Sequence, residues 1–343
     1  MPAACAADAL CMIATFAMLS SSLVQAIPAF GVSASRRTLS TVSGESVNWT
    51  TVSTSVNGSA PPLVHHTAAV LSANNTNHSM LLFGGRTVTD TGLVTLTSAL
   101  WSYMVEDSTW TQIQPLGASP TVREMHSACS NGSHMLIHGG RSGRRVLRDT
   151  WLFERESETW STVPVSTTVV AAVYGHSSVW IGQTVYIFGG TDSAGLNTDG
   201  LIALNASTSV WWEIASSSML SWPYARSFHS ATVLEGCMVL YGGQFQLNGA
   251  SDSGVALGDV WSYCLTGPDT GRWTVITNST NGYWDLTANQ SMAEFGLTSN
   301  NTGAPVSSHV TVSVSDSLMV SVSGHNVMYT DRLWCPPPTP MTW

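Results

Sequence analysis

The chain has 343 residues, of which 43% are hydrophobic and only 10% charged; with 14 tryptophans it has ample apolar surface to pack, which excludes a disordered protein. All 12 basic residues are arginine and the formal net charge is −9, which excludes general nucleic-acid binding, a function that needs many cationic contacts to phosphate. A chain of this length can bury one large core or one closed array of small units.

Read from its start, the sequence opens on an apolar stretch from Ala9 to Ala26 that closes with Val24-Gln25-Ala26. Small residues three before and directly before a cut suit signal peptidase, although Asp8 stands where a positive residue is usual. The run Ser20-Ser21-Ser22 dilutes a segment already short for a bilayer. Residues 1–26 are therefore expected to be a signal peptide, 27–43 a linker, and the mature chain a secreted or extracellular protein without a membrane span. Nine acceptor sites for asparagine glycosylation agree with export: Asn48, Asn57, Asn74, Asn77, Asn131, Asn205, Asn278, Asn289 and Asn300. Most fall in expected turns, where a glycan is solvated.

From residue 44 onward a glycine pair recurs at the end of a short apolar run. The pairs Gly84-Gly85, Gly139-Gly140, Gly189-Gly190 and Gly242-Gly243 start 55, 50 and 53 residues apart, and a worn copy at Gly324 follows 82 residues after the fourth. A period near fifty indicates stacked copies of one supersecondary unit. Each copy opens with His and small residues, runs through a second strand into the glycines, and after a variable loop has one tryptophan and then another. In the first copy these are His66-Thr67-Ala68, Leu81-Leu82-Phe83, Trp101 and Trp110; in the second His126-Ser127-Ala128, Ile137-His138, Asp149-Thr150-Trp151 and Trp160. The third has His176-Ser177-Ser178, Ile187-Phe188, Ile202 in place of Trp, and Trp211-Trp212. The fourth has His229-Ser230-Ala231, Leu240-Tyr241, Asp259-Val260-Trp261 and Trp273, and the fifth is reduced to His309, Gly324 and Asp331-Arg332-Leu333-Trp334.

This pattern resembles kelch repeats over residues 44–334. The resemblance implies an all-β fold, a β-propeller of four-stranded kelch blades with five recognisable repeats. The spacing from Trp49 to His66 matches that from Trp110 to His126, so the segment Asn48-Trp49-Thr50 reads as the last strand of the fifth blade, closing the ring from the N-terminal side. Pro336-Pro337-Pro338 lacks the amide donors of a strand, which leaves 335–343 as a C-terminal tail. Residues 278–301, rich in Gly, Asn and Thr, read as a solvated insertion before blade five.

Removal of residues 1–26 leaves Cys129, Cys237, Cys264 and Cys335. An antiparallel pairing with Tyr241 opposite Val260 sets Cys237 opposite Cys264, which makes a cross-strand disulfide sterically feasible; two buried thiols are the alternative.

The histidine repeated at His66, His126, His176, His229 and His309 invites a metal ring, but a residue present once per unit more simply serves the unit as a hydrogen-bonding core group. No metal ligand, cofactor or catalytic residue is expected. Charge is the least even feature: Arg123, Arg141, Arg144, Arg145, Arg148 and Arg155 place half of all cations in the second copy. Arg141, Arg144, Arg145 and Arg148 lie in the loop after Gly140, and their forked donors suit an acidic protein or an anionic glycan. Solvation with local offset by Asp149, Glu154, Glu156 and Glu158 is the competing reading. The expected function is a non-enzymatic protein- or glycan-binding scaffold, similar to extracellular kelch domains of the attractin kind. The alternative that the resemblance implies is a secreted galactose oxidase-like copper radical oxidase, which needs a Cys joined to a Tyr. Tyr263 and Cys264 are neighbours on one strand and point to opposite faces, which opposes that chemistry.

Overall fold

The computed structural model describes residues 38–40, 46–48, most of 63–277, 284–285, 310–315 and 318–322. Every regular element among them is a β-strand. Four four-stranded antiparallel meanders dominate. Blade one is Thr67–Ala73, Asn77–Phe83, Leu100–Met104 and Thr109–Ile113; blade two is Ser127–Ser130, His134–His138, Thr150–Glu154 and Thr159–Val163. Blade three is Ser177–Ile181, Thr184–Phe188, Leu201–Asn205 and Val210–Ile214; blade four is Ser230–Leu234, Cys237–Tyr241, Val260–Cys264 and Trp273–Thr277. The chain is a β-propeller of four-stranded kelch blades.

Sequence pattern explains the depth of each strand. The second strand of a blade is buried on both faces and so reads as an unbroken apolar run, as in Met135-Leu136-Ile137. The fourth strand lies at the rim and is mostly polar, with Trp160 buried while Ser161 and Thr162 are exposed. The core lies in the seams between blades. Leu81, Phe83 and Leu100 of blade one meet Met135, Ile137, Phe153 and Trp160 of blade two, and Phe188 and Leu201 of blade three meet Met238, Leu240 and Trp273 of blade four.

First strands of successive blades are neighbours in chain order, and the hairpin Val310–Ser315 and Leu318–Val322 sits beside Ser230–Leu234 as the inner half of the fifth copy. The expected closing strand gives a different result at its start. Ser46–Asn48 pairs with Thr38–Ser40 in a separate two-stranded sheet, and among the described residues it has no pairing with the fifth copy; Trp49 lies outside them. Residues 1–26, 27–37 and 335–343 also lie outside the described residues. Within the expected insertion, Trp284–Asp285 pairs with Gly254–Ala256, extending a ribbon that begins at Gln244–Gln246. No helix of the described residues is long and apolar enough to cross a membrane.

The register sets Tyr241 opposite Val260 and Cys237 opposite Cys264, and the two sulfurs are bonded across a Cα separation of 4.1 Å. Cys129 is a buried free thiol whose pKa burial pushes up to about 12, against a small opposing effect of Ser178. Cys335 lies outside the described residues.

Candidate functional site

Histidine and the glycine pair form the joint between blades. In the first three pairs the second glycine donates its N–H to the carbonyl three residues before the next blade's histidine: Gly85 to Arg123 at 2.7 Å, Gly140 to Val173 at 2.8 Å and Gly190 to Arg226 at 2.8 Å. The ring of that histidine lies edge-on to the aromatic residue before the glycines, as Phe83 with His126 and Phe188 with His229. Its Nε2 bonds a hydroxyl on the preceding blade, Thr67 for His126 at 2.7 Å and Ser177 for His229 at 2.8 Å. Among the described residues no group of three or more His, Cys, Asp or Glu side chains could hold a metal ion. These histidines serve the seams.

The seam between blades two and three differs. His138 occupies the aromatic position and lies edge-on to His176 at 5.2 Å. His138 Nδ1 bonds Thr150 Oγ1 at 2.8 Å, but both ring nitrogens of His176 and the Ser127 hydroxyl lack the bond that the neighbouring seams make. Burial lowers the pKa of His138 to about 4 and that of His176 well below the ordinary value, the latter with the neighbouring His138 and His229 adding to the effect.

Arg123 leaves the cationic surface set altogether. Its side chain is fully buried, forks onto Asp149 at 2.9 and 2.7 Å, and donates to the Gly139 carbonyl; Asp149 also accepts from Trp151 Nε1. Arg226 repeats this in blade four with Asp259, the Gly242 carbonyl and Trp261. Sequence reasoning missed this lock, whose signal is an Arg three residues before the histidine in the same copies that carry Asp-x-Trp. Arg155 pairs with Glu158 at 2.7 Å, in the turn between the third and fourth strands of blade two. That turn is at the opposite end of the blade from the glycine pair, as the antiparallel register requires.

The end that carries the glycine pairs also carries the segments entering each blade. There Glu124, fully buried, receives Arg86 on both oxygens, Arg141 Nε at 2.9 Å and His65 Nδ1 at 3.2 Å. Burial alone would raise its pKa; the bonds from His65 and Arg86 and the charges of Arg141 and Arg86 outweigh burial and hold it at about 2. Glu124 thus joins blade one to blade two and fixes two arginines. Arg141 reaches it through Nε while its guanidinium lies 5.3 Å over the Tyr174 ring of blade three.

Beyond Arg141 the loop is a small hairpin, Arg141–Ser142 paired with Arg145–Val146. Its two-residue turn opens with Gly143 at φ 62°, the positive angle that such a turn demands of its first residue. Arg144, Arg145 and Arg148 are exposed, and among the described residues they make no ion pair. Three of the four carboxylates expected to offset them are engaged elsewhere, Asp149 on Arg123, Glu158 on Arg155, and Glu154 beside Ser157 and His134, while Glu156 is exposed. The structure therefore sorts the four loop arginines into one that is held in place and three that are exposed without an ion pair among the described residues.

Among the acceptor asparagines, Asn131 and Asn205 lie in turns at the end opposite this hairpin, Asn131 exposed and Asn205 half-buried. Asn48 ends one short strand and Asn77 begins another; Asn57, Asn74, Asn278, Asn289 and Asn300 lie outside the described residues.

Comparison with known proteins agrees with the repeat geometry. The model of the KLHDC2/KLHL20/DRC7 Kelch-repeats domain matches residues 31–243 and again 147–343. The Host cell factor of Drosophila melanogaster is 30% identical over 171 residues, 44% of this chain and 11% of that protein. Human Kelch domain-containing protein 3 is 33% identical over 146 residues, 39% of this chain and 37% of its own length. Adagio protein 3 of Arabidopsis thaliana is 27% identical over 206 residues, 57% of this chain and 32% of that protein. The chain thus spans well under half the length of these curated relatives. Glycine pairs, seam histidines and rim tryptophans in four meanders, together with a family model that covers the blades, place this chain in the kelch-repeat domain family.

Proposed function

We propose that this kelch propeller is a protein-interaction scaffold of the secretory route, and that its glycine-pair end docks an acidic segment of a protein partner on the hairpin of residues 141–148. The observation that carries the reading is the set of three exposed arginines, Arg144, Arg145 and Arg148, without an ion pair among the described residues and beside an Arg141 already fixed by Glu124. Guanidinium groups offer forked donors to carboxylates, and a preorganised one loses less freedom on binding. The apolar N-terminal stretch, the nine acceptor asparagines and the Cys237–Cys264 bond support export. That bond also occupies Cys264, so it is not available for the tyrosine link of a copper radical oxidase.

Crosslinking capture with the full chain, run beside an Arg144→Ser/Arg145→Ser/Arg148→Ser variant, tests the docking. These side chains are exposed, so the variant should keep its fold and lose its acidic partners. Capture that is unchanged by the triple substitution defeats the proposal. A parallel array of sulfated glycans reports whether a glycan takes the place of the protein segment.

A further inference from the structure

Blade three breaks the polar pattern of the rim strands. At two matching positions of the fourth strand, blade one has Thr109 and Thr111 and blade two has Thr159 and Ser161; blade three has Val210 and Trp212, 55% and 38% exposed. An outermost strand with bare apolar side chains invites edge pairing and is normally covered or charged. In the same blade, Asn205 of Asn205-Ala206-Ser207 stands directly opposite Val210, and Ala203 stands opposite Trp212. Strand alternation puts these four side chains on one face of the sheet, with facing residues about 5 Å apart. Blade two has Glu154 where blade three has Asn205, and blade one has Met104. An acceptor site here and exposed apolar rim residues occur together in blade three and in neither of those blades.

The turn leaves the asparagine suited to its modification. Asn205 Oδ1 accepts the N–H groups of Ser207 and Thr208, each at 3.0 Å, so the carboxamide oxygen is committed to the turn. The amide nitrogen, which an N-linked sugar uses, has no partner among the described residues.

We propose that Asn205 carries an N-linked glycan whose first sugars lie across Val210 and Trp212. A pyranose ring has an apolar C–H face that suits the electron-rich face of an indole, and covering both residues removes apolar surface from water. A bulky solvated chain at this edge also blocks pairing with another strand. The proposal rests on the secretory reading above, because on that route a lipid-linked pyrophosphate donor supplies the sugar: its C1–O bond to the pyrophosphate breaks, a C1–N bond to the Asn205 amide nitrogen forms, and the amide gives up one proton.

The test is to produce the full chain with its own N-terminus in secretory cells and to map glycopeptides at all acceptor sites. Oxidative footprinting of Trp212 then compares the native protein with the enzymatically deglycosylated protein and with Ser207→Ala, which removes the acceptor site but keeps the backbone N–H of the turn. The expected result is a glycan at Asn205 and an increase in Trp212 labelling in both sugar-free forms. A bare Asn205 beside glycans at other acceptor sites overturns the proposal, as does equal labelling of Trp212 with and without sugar. Absence of glycan at every site overturns it together with the secretory reading.

Discussion

Arg226 is fully buried and its partner Asp259 is mostly so, and burial of each alone would be costly. Forked bonds and the Trp261 donor satisfy the pair, and they hold the Asp259 carboxyl below its usual range although burial pushes the other way. The chain itself shows that the pair is exchangeable only as a unit. Blades without the arginine have Leu63 or Val173 in its place, and their counterparts of the aspartate are Ala99 and Gly200. Changing Arg226→Leu alone should therefore cost about 3–5 kcal/mol, since it strands a buried carboxylate. The double change Arg226→Leu/Asp259→Ala, which copies blade one, should cost clearly less. Urea unfolding of both variants measures the difference, and equal losses would contradict the pairing argument.

At the scale of the element, the glycine pair sets the distance between blades. A Cβ on Gly139 would lie 2.6 Å from the Val173 carbonyl and 3.0 Å from the His176 ring, and its φ of +59° is itself unfavourable for other residues. Gly143, at φ +62° in the arginine hairpin, has open space around it. Gly139→Ala should thus destabilise by roughly 2–4 kcal/mol through clash and strain, and Gly143→Ala by only about 1 kcal/mol through strain. Thermal melts of the two variants separate close approach from backbone conformation. This contrast explains what was legible beforehand. Glycine pairs, histidines and tryptophans recur at one position per copy, so their roles could be read from spacing. Arg123 could not, because in a list of cations it looks like part of the surface cluster; only its neighbour in space, Asp149, removes it. Glu124 escaped notice for the same reason, since its three partners, Arg86, Arg141 and His65, lie on separate segments of two blades. Spacing alone does not establish the closing strand, for Ser46–Asn48 pairs with Thr38–Ser40 in a local hairpin and Trp49 lies outside the described residues.

Across the whole molecule the seams share one weakness, the buried neutral histidine. Burial lowers His66 and His138 to about 4, and it lowers His126 and His176 well below the ordinary value, with nearby Arg123 adding at His126. A histidine whose folded pKa is depressed contributes fully above its unfolded value near 6.5, and that contribution is lost as pH falls toward the folded value. Each of His66 and His138 should then cost roughly 1–2 kcal/mol of stability between pH 7.5 and pH 5. The depressed carboxylates do not compensate in this window, because what Glu124 contributes is lost only below its ordinary value, on the way down to about 2. Acidification should therefore lower the urea midpoint well before the carboxylates titrate. The seam between blades two and three gives the control. His138 pairs across the strands with Thr150, where blades one and three have Phe83 with Leu100 and Phe188 with Leu201. A His138→Phe/Thr150→Leu variant copies those blades and removes a buried imidazole with one unsatisfied nitrogen. Its midpoint should fall less than that of the native chain between pH 7.5 and pH 5; a native midpoint that does not move over this range would show that the seam histidines do not set the acid limit of the propeller, and a variant that falls in parallel with the native chain would show that His138 has no part in that limit.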